Sequence, residues 1–317
     1  MRVDIKKNLK LSYYALCVAR LLIPGYYHRA LLPKLLESMR VSDYMTQRVN
    51  YYNKIEDIFS LPSSSKTIHE FKEEKKKTYY FDLLEFFRFF EVSKKVMYLF
   101  GDLTKIPDNP SFVKSRPIAG ENKNSVLMKL DKVRHFIFVA DEKGFEDKKH
   151  KIVWRGAAHN LQRQRVIQEY FNRSFCDVAQ SRKKDRLNEH WYRGKLTLKE
   201  QLQFKFILSI EGHDVASNLK WIMSSNSLAF MPKPKYETWF MEGRLIEDQH
   251  YVLIKDDFSD LEEKVDYYIQ NTAEAKKIIS NANVYVNQFR DKKRERDISL
   301  LVLQKYFEKS GQLLKES

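Results

Sequence analysis

From Phe204 to Trp221 the chain reads Phe-Lys-Phe-Ile-Leu-Ser-Ile-Glu-Gly-His-Asp-Val-Ala-Ser-Asn-Leu-Lys-Trp. An apolar run of strand length ends at Ile210, a polar turn with Gly212 follows, and helical spacing resumes near Val215. Strand, loop and helix in that order are the unit of a parallel α/β sheet. The same alternation continues on both sides: residues 152–154, 228–231 and 251–254 read as strands, and 161–173, 215–224, 259–270 and 273–289 as helices. Residues 151–290 are therefore predicted to form a Rossmann-like domain with helices on both faces of its sheet. Such sheets bind ligands beyond the carboxyl ends of their strands, where loops lead into helix N-termini that favour anions. Two places qualify, Trp154-Arg155-Gly156 and the loop from Glu211 to Asn218, and both suit a diphosphate.

Upstream the pattern is less regular. Residues 96–100, 112–113, 126–130 and 136–140 are short apolar runs that read as strands of a first α/β domain over 79–150, while 81–90 is densely aromatic at helical spacing and reads as core. Residues 1–78 form a helical extension in which Lys6, Lys7, Lys10, Arg20, Arg29 and Lys34 sit among Leu, Tyr and Ile. That extension suits either an anionic membrane surface or packing on the first domain with the basic side in water. Pro62 and Ser63 to Ser65 open a breaker, and the charged run through Lys77 reads as a loop or a short solvated helix. Residues 291–317 read as a long C-terminal helix with Leu300, Leu301, Leu303 and Phe307 on one side, packing back across the domains.

At 317 residues the chain suits two domains, and 43% hydrophobic with 31% charged residues is the balance of a folded protein. Lys and Arg exceed Asp and Glu by 57 to 42, a formal charge of +15, so anionic partners are expected: nucleic acid, a phosphorylated small molecule or an anionic lipid surface. Cys17 and Cys176 are the only cysteines, which excludes a disulfide framework and fits a reducing cytoplasm. The apolar stretch 13–27 is broken by Arg20, Pro24 and Gly25, too short and polar to span a bilayer, and it lacks a signal-peptide cleavage pattern.

Neither Gly-x-x-x-x-Gly-Lys-Ser/Thr nor Gly-x-Gly-x-x-Gly occurs, which argues against ATPase and dinucleotide chemistry. No Asp-x-Asp pair occurs either. Transferases that hold a nucleotide sugar through a divalent metal need such paired carboxylates, so no metal is expected here, and leaving-group charge falls to Arg, Lys and backbone N–H groups. His135, His159 and His250 have no metal-ligand spacing. Asp256, Asp257 and Asp260 read as acids at a helix start.

Six segments together resemble glycosyltransferase family 90: Phe-Gly-Asp-Leu-Thr-Lys-Ile-Pro (100–107), Phe-Val-Lys-Ser-Arg-Pro-Ile (112–118), Trp-Arg-Gly (154–156), Glu-Gly-His-Asp-Val-Ala-Ser-Asn-Leu-Lys-Trp (211–221), Pro-Lys-Tyr-Glu-Thr-Trp-Phe (234–240) and His-Tyr-Val-Leu-Ile-Lys-Asp-Asp (250–257). Each is weak alone; their order and spacing are specific. The resemblance implies a GT-B-like α/β fold of two Rossmann-like domains with an interdomain cleft, and an inverting, metal-independent transfer from a UDP-sugar. The wording is nearest the bacterial branch acting on lipopolysaccharide core. The implied function is transfer of glucose or galactose from a UDP-hexose to that core in the cytoplasm, with peripheral contact to an anionic inner membrane. Capsule and protein acceptors are the alternatives within the family. A basic nucleic-acid-binding protein is the alternative outside it, disfavoured because the positive residues are spread along the chain.

The resemblance puts a catalytic base at Asp102, where an ionised carboxylate would take the acceptor hydroxyl's proton; by residue type alone Asp102 also reads as a turn carboxylate capping backbone N–H groups. Arg155 and Gly156 are expected at the donor diphosphate, with an interdomain salt bridge as the other reading of Arg155. The resemblance aligns His213, Asp214, Val215, Ala216, Ser217 and Asn218 with the donor loop. Asn218 stands where the eukaryotic branch has an arginine, and Lys220, Arg155 or Lys114 could supply that charge. Lys114, Ser115 and Arg116 are read either as acceptor-binding or as a solvated basic edge. Glu237 would accept hydrogen bonds from sugar or ribose hydroxyls, or cap a short helix.

Overall fold

The computed structural model describes residues 5–72, 77–182 and 189–313. In chain order its elements begin with helices α1 (Ile5–Leu21), α2 (Gly25–Ser38) and α3 (Asp43–Tyr52), strand β1 (Lys66–Thr67) and helix α4 (Lys77–Phe87). Short strands β2 (Lys95–Val96), β3 (Tyr98–Leu99), β4 (Ser111–Val113), β5 (Ser115–Pro117) and β6 (Ser125–Leu127) follow, then the single turn α5 (Lys132–His135). The longer alternation is β7 (Lys149–Gly156), α6 (Leu161–Tyr170), β8 (Cys176–Gln180), α7 (Leu198–Gln201), β9 (Phe204–Leu208), α8 (Leu219–Met223), β10 (Leu228–Met231), β11 (Tyr236–Thr238) and β12 (Val252–Leu253). Helices α9 (Leu261–Gln270), α10 (Thr272–Asn287) and α11 (Lys292–Lys309) end the described chain.

These elements fall into two compact units, one holding His135–Lys235 and Met241–Gln288, the other Lys6–Arg134, Tyr236–Phe240 and the chain from Phe289 onward. In the first unit five strands, every pair parallel, run in the order β12-β10-β9-β7-β8. Every residue of β9 and β10 is buried. That is why both read as unbroken apolar runs rather than alternating ones. Packing α6 on β8, α9 on β7 and α10 on β10 surrounds Phe206, Phe230 and Val252 with Val166, Ile167, Val265 and Ile278.

Three sequence expectations change in this unit. Strand β8 was not foreseen, because Asp177 interrupts its short apolar run. Residues 136–140 are not a strand: they run irregularly after α5, and the Val139 N–H donates to the Ser224 hydroxyl (2.9 Å) instead of a neighbouring strand. The helix expected over 215–224 is only Leu219–Met223. Asn218 holds the residues before it as a loop, donating to the Leu208 carbonyl (2.8 Å) and accepting from the Ser209 hydroxyl (3.2 Å).

The second unit holds a three-stranded parallel sheet, β3-β4-β6, and the antiparallel pairs β1-β2 and β5-β11. Its strands are two or three residues long, so helices and aromatic rings carry the core instead of a second five-stranded sheet. Helix α4 buries Tyr79 together with Leu83, Phe86 and Phe87 of the run 81–90 that reads as core. Ring contacts continue from Phe87 to Phe112 (5.7 Å) and Phe112 to Tyr306 (4.4 Å), and join Phe90 to Phe307 (4.9 Å). The charged run after residue 65 starts as strand β1, and its residues 73–76 lie outside the described residues. Among the described residues no helix is long and apolar enough to cross a membrane.

A buried polar knot joins α3, α11 and the segment 236–240. Glu295 accepts from Arg48 (2.5 Å), from Lys129 (2.9 Å) and from the Trp239 indole (2.7 Å), while Tyr52 stacks on Trp239 at 3.8 Å. Burial works against the Arg48 charge, but Tyr52 and Glu295 more than offset it and hold the guanidinium above its usual range. At Lys129 burial outweighs the pull of Glu295 and lowers the ammonium. Removing one carboxylate would strand two cations away from water. Glu295→Ala is therefore expected to cost about 3 to 5 kcal/mol of unfolding free energy, read as a lower urea midpoint at unchanged slope. A loss below about 1 kcal/mol, the scale of a surface pair, would show that the knot does not bear on stability.

Candidate functional site

Strand β7, first of its sheet in sequence, lies between β8 and β9, so the strand order reverses at the β7–β9 pairing. Loops leaving neighbouring strands at such a point diverge and leave a crevice beyond the strand ends. Two residues of the α6 start stitch the two loops together. Arg163 donates to the carbonyls of Ala157 (3.3 Å), Ile210 (2.8 Å) and Glu211 (3.0 Å). Asn160 caps α6 by accepting from the Arg163 N–H and donates from its amide to the carbonyls of Glu211 (3.2 Å) and Gly212 (2.9 Å). The Arg163 guanidinium lies 5.6 Å from the Trp154 ring, and the exposed imidazoles of His159 and His213 meet at 4.6 Å with their planes tilted by 31°.

A small open depression lies beside this stitched loop, at the carboxyl ends of β9 and β10. Ser209, Glu211, Val215 and Ala216 line one side, and Met231, Pro232, Lys233 and Lys235 another, with Gln162, Leu219, Pro234 and Glu242 completing it. The Lys235 backbone N–H donates to the Glu211 carboxylate (3.1 Å), which closes one end. All of these residues belong to the five-stranded unit. An apolar wall with a few convergent polar groups is the usual make-up of a small-molecule site.

The residues that the resemblance aligns with a donor loop lie on this stretch, in differing settings. Val215 and Ala216 line the pocket, His213 is exposed, Asp214 is buried and Ser217 is half-buried. Asn218 is spent on fastening the loop to β9. Lys220 is fully buried and ion-paired with Glu242, itself a lining residue. Arg155 turns onto the neighbouring strand, where its guanidinium meets the Asp177 carboxylate (2.6 Å) and the Asp177 carbonyl (2.7 Å). This is a salt bridge within one unit, where the sequence suggested an interdomain bridge or a phosphate contact. Gly156 also has a structural reason: a Cβ there would lie 2.3 Å from the Trp154 indole, which folds over it.

Asp102, Lys114, Ser115, Arg116 and Glu237 lie in the other unit. Gly101, with φ of 141° in a region open only to glycine, sets the turn that presents Asp102. The Asp102 side chain is 25% exposed, takes an ion pair from Lys114 at 2.5 Å and accepts from the Tyr79 hydroxyl at 3.5 Å. Arg116 pairs with Glu237 at 2.8 Å across β5 and β11, both buried, and also donates to the carbonyls of Tyr51 and Ser125. The Tyr51 hydroxyl donates to Glu237 as well. Lys114, Ser115 and Arg116 are all buried, so the solvated basic edge is not what forms. Nor does Glu237 cap a helix.

The sequence reading did not single out Arg163, Asn160, Lys233 or Glu242 as site residues, and it named Glu211 only as the start of a loop suited to a diphosphate. Only the Met-Pro-Lys-Pro-Lys segment closing β10 carried a local signal, a cation between prolines at a strand end. Among the described residues no group of three or more His, Cys, Asp or Glu is placed to hold a metal ion.

Residues 125–312 match glycosyl transferase family 90. O-glucosyltransferase LpsA of Dichelobacter nodosus is 45% identical over 260 residues, 82% of this chain and 81% of that protein. The chain belongs to glycosyltransferase family 90. The family match covers the whole five-stranded sheet, the pocket and α11; Asp102 and residues 114–116 precede it. A shorter stretch of 95 residues is 34% identical to uncharacterized protein 179R of Invertebrate iridescent virus 6, covering 27% of this chain and 8% of that one.

In this family member the fit of Trp154 over Gly156 is tight enough to test. Gly156→Ala forces the indole or the strand to move and is expected to destabilise the protein by about 1 to 3 kcal/mol, the usual cost of overpacking. Trp154→Leu in the same chain should recover part of that loss. Strict additivity of the two changes in denaturant titrations would show that the contact is not the cause.

Proposed function

We propose that the chain is an inverting, metal-independent hexosyltransferase of GT-B-like fold that moves glucose or galactose from a UDP-sugar to a saccharide of the lipopolysaccharide core. The observation that carries this reading is family membership joined to an open pocket at the carboxyl ends of β9 and β10. The name of the relative, O-glucosyltransferase LpsA, supports an oxygen acceptor and makes glucose the first sugar to test. The proposed compartment is the cytoplasm, which suits two unpaired cysteines.

The chemistry needs a base on the acceptor and a place for the leaving UDP. Asp102 is the proposed base: its carboxylate takes the hydroxyl proton as that oxygen attacks the anomeric carbon opposite the departing UDP, so the C1–O bond to UDP breaks and the configuration inverts. Lys114, buried behind Asp102, orients the carboxylate instead of touching the acceptor. Leaving-group charge is met by the backbone N–H groups and Ser217 of the loop 213–218, and by exposed Lys233 at the pocket edge. Arg155, Lys220 and Arg116 are each held by an acid and so serve as positioning residues.

Asp102→Asn should keep UDP binding and lower transfer by about 100- to 10,000-fold. Thermal shift with UDP, UDP-glucose, UDP-galactose and UDP-xylose, followed by transfer to a core oligosaccharide, reads both halves. Near-normal turnover of the variant would remove Asp102 from this role, and no response to any UDP compound would remove the donor assignment. Transfer is further expected to survive EDTA unchanged; loss that added Mn²⁺ or Mg²⁺ restores would overturn metal independence.

A further inference from the structure

Among the described residues, the first two helices present an apolar surface that nothing in their unit covers. Helix α1 is fastened along one side: Tyr13 donates to Asp82 (2.8 Å), Cys17 is buried, and Arg20 pairs with Glu85 (2.9 Å), at intervals of four and three residues. The opposite side carries Leu11, Ala15, Val18 and Leu22, at intervals of four, three and four, all exposed. Leu11 is 75% exposed, Val18 54% and Leu22 80%. Two faces of one helix with the same periodicity, one tied down and one bare, are the signature of an element with a second surface to cover.

Helix α2 continues that surface. None of its residues is buried, and Tyr26 and Tyr27 at its first turn are more than half exposed with their rings 4.1 Å apart. Its ties to the unit are few: His28 stands edge-on to Phe89 at 5.0 Å and Arg29 reaches Glu91 at 3.7 Å. Between residues 5 and 38 there are six Lys or Arg residues and one acid, Glu37. Lys10 and Lys34 are exposed on the same two helices.

We propose that the α1–α2 surface docks on an anionic phospholipid bilayer, lying in the headgroup region with Leu11, Val18, Leu22, Tyr26 and Tyr27 at the acyl boundary. Exposed aliphatic side chains, paired tyrosines and a basic excess on one pair of helices are what binding in the interface plane requires. A second copy of the chain is disfavoured by charge, since joining two such surfaces brings the exposed Lys10 and Lys34 of each copy together. The proposal stands on this geometry alone and not on the identity of donor or acceptor.

The test is co-sedimentation of the full-length protein with vesicles of phosphatidylcholine alone and of equal parts phosphatidylcholine and phosphatidylglycerol. Binding is expected to the anionic vesicles only, weakening as salt rises. The triple variant Leu11→Ser, Val18→Ser, Leu22→Ser changes only exposed positions and should bind about 100-fold more weakly with an unchanged melting temperature and unchanged UDP response. No pelleting with anionic vesicles, or equal pelleting of wild type and variant, would overturn the proposal. So would a concentration-dependent dimer in lipid-free sedimentation that the triple variant abolishes, because the surface would then belong to a second copy.

Discussion

The pairing of β7 with β9 is the constraint on which the candidate site depends. Because the earliest strand of the sheet lies inside it, flanked by the second and third, the connections must leave in opposite directions there, and their loops part beyond the strand ends. An opening made that way is lined by backbone, and backbone left unpaired in a partly buried place is costly. Arg163 and Asn160 meet that cost, taking five carbonyl contacts from the two loops between them. Asn218 does the same at the other end of the loop. The pocket wall is thus fixed before any ligand arrives, which lowers the ordering cost of binding.

Charge follows the same logic. Four cations that the motifs marked for anionic ligands each have an acid of the protein as partner: Lys114 with Asp102, Arg116 with Glu237, Arg155 with Asp177 and Lys220 with Glu242. An unpaired buried cation is expensive, so such groups are paired wherever the fold allows. The consequence for chemistry is a rigid framework. Held carboxylates and held guanidiniums keep strands and loops in one arrangement, and Lys233 at the depression beside β10 is exposed.

The parts legible in sequence were those set by local periodicity. Strands β7, β9 and β10 and helices α6, α9 and α10 follow from apolar runs and 3.6-residue spacing, and the loop suited to an anion followed from its place after β9. Strand β8 escaped because one aspartate breaks a five-residue run, and α8 came out short because a single asparagine outcompetes helix propensity for the backbone before it. The ion partners escaped for a plainer reason: Arg116 and Glu237 are 121 residues apart, and Arg48 and Glu295 are 247.

By itself, then, the sequence determined that this is an α/β protein of basic surface with a strand-loop-helix site, since hydrophobic period and residue type act over a few neighbours. Tertiary structure alone decided which of its charged residues face one another and which face water. Burial and pairing are properties of positions brought together across long stretches of chain, and no local pattern encodes them.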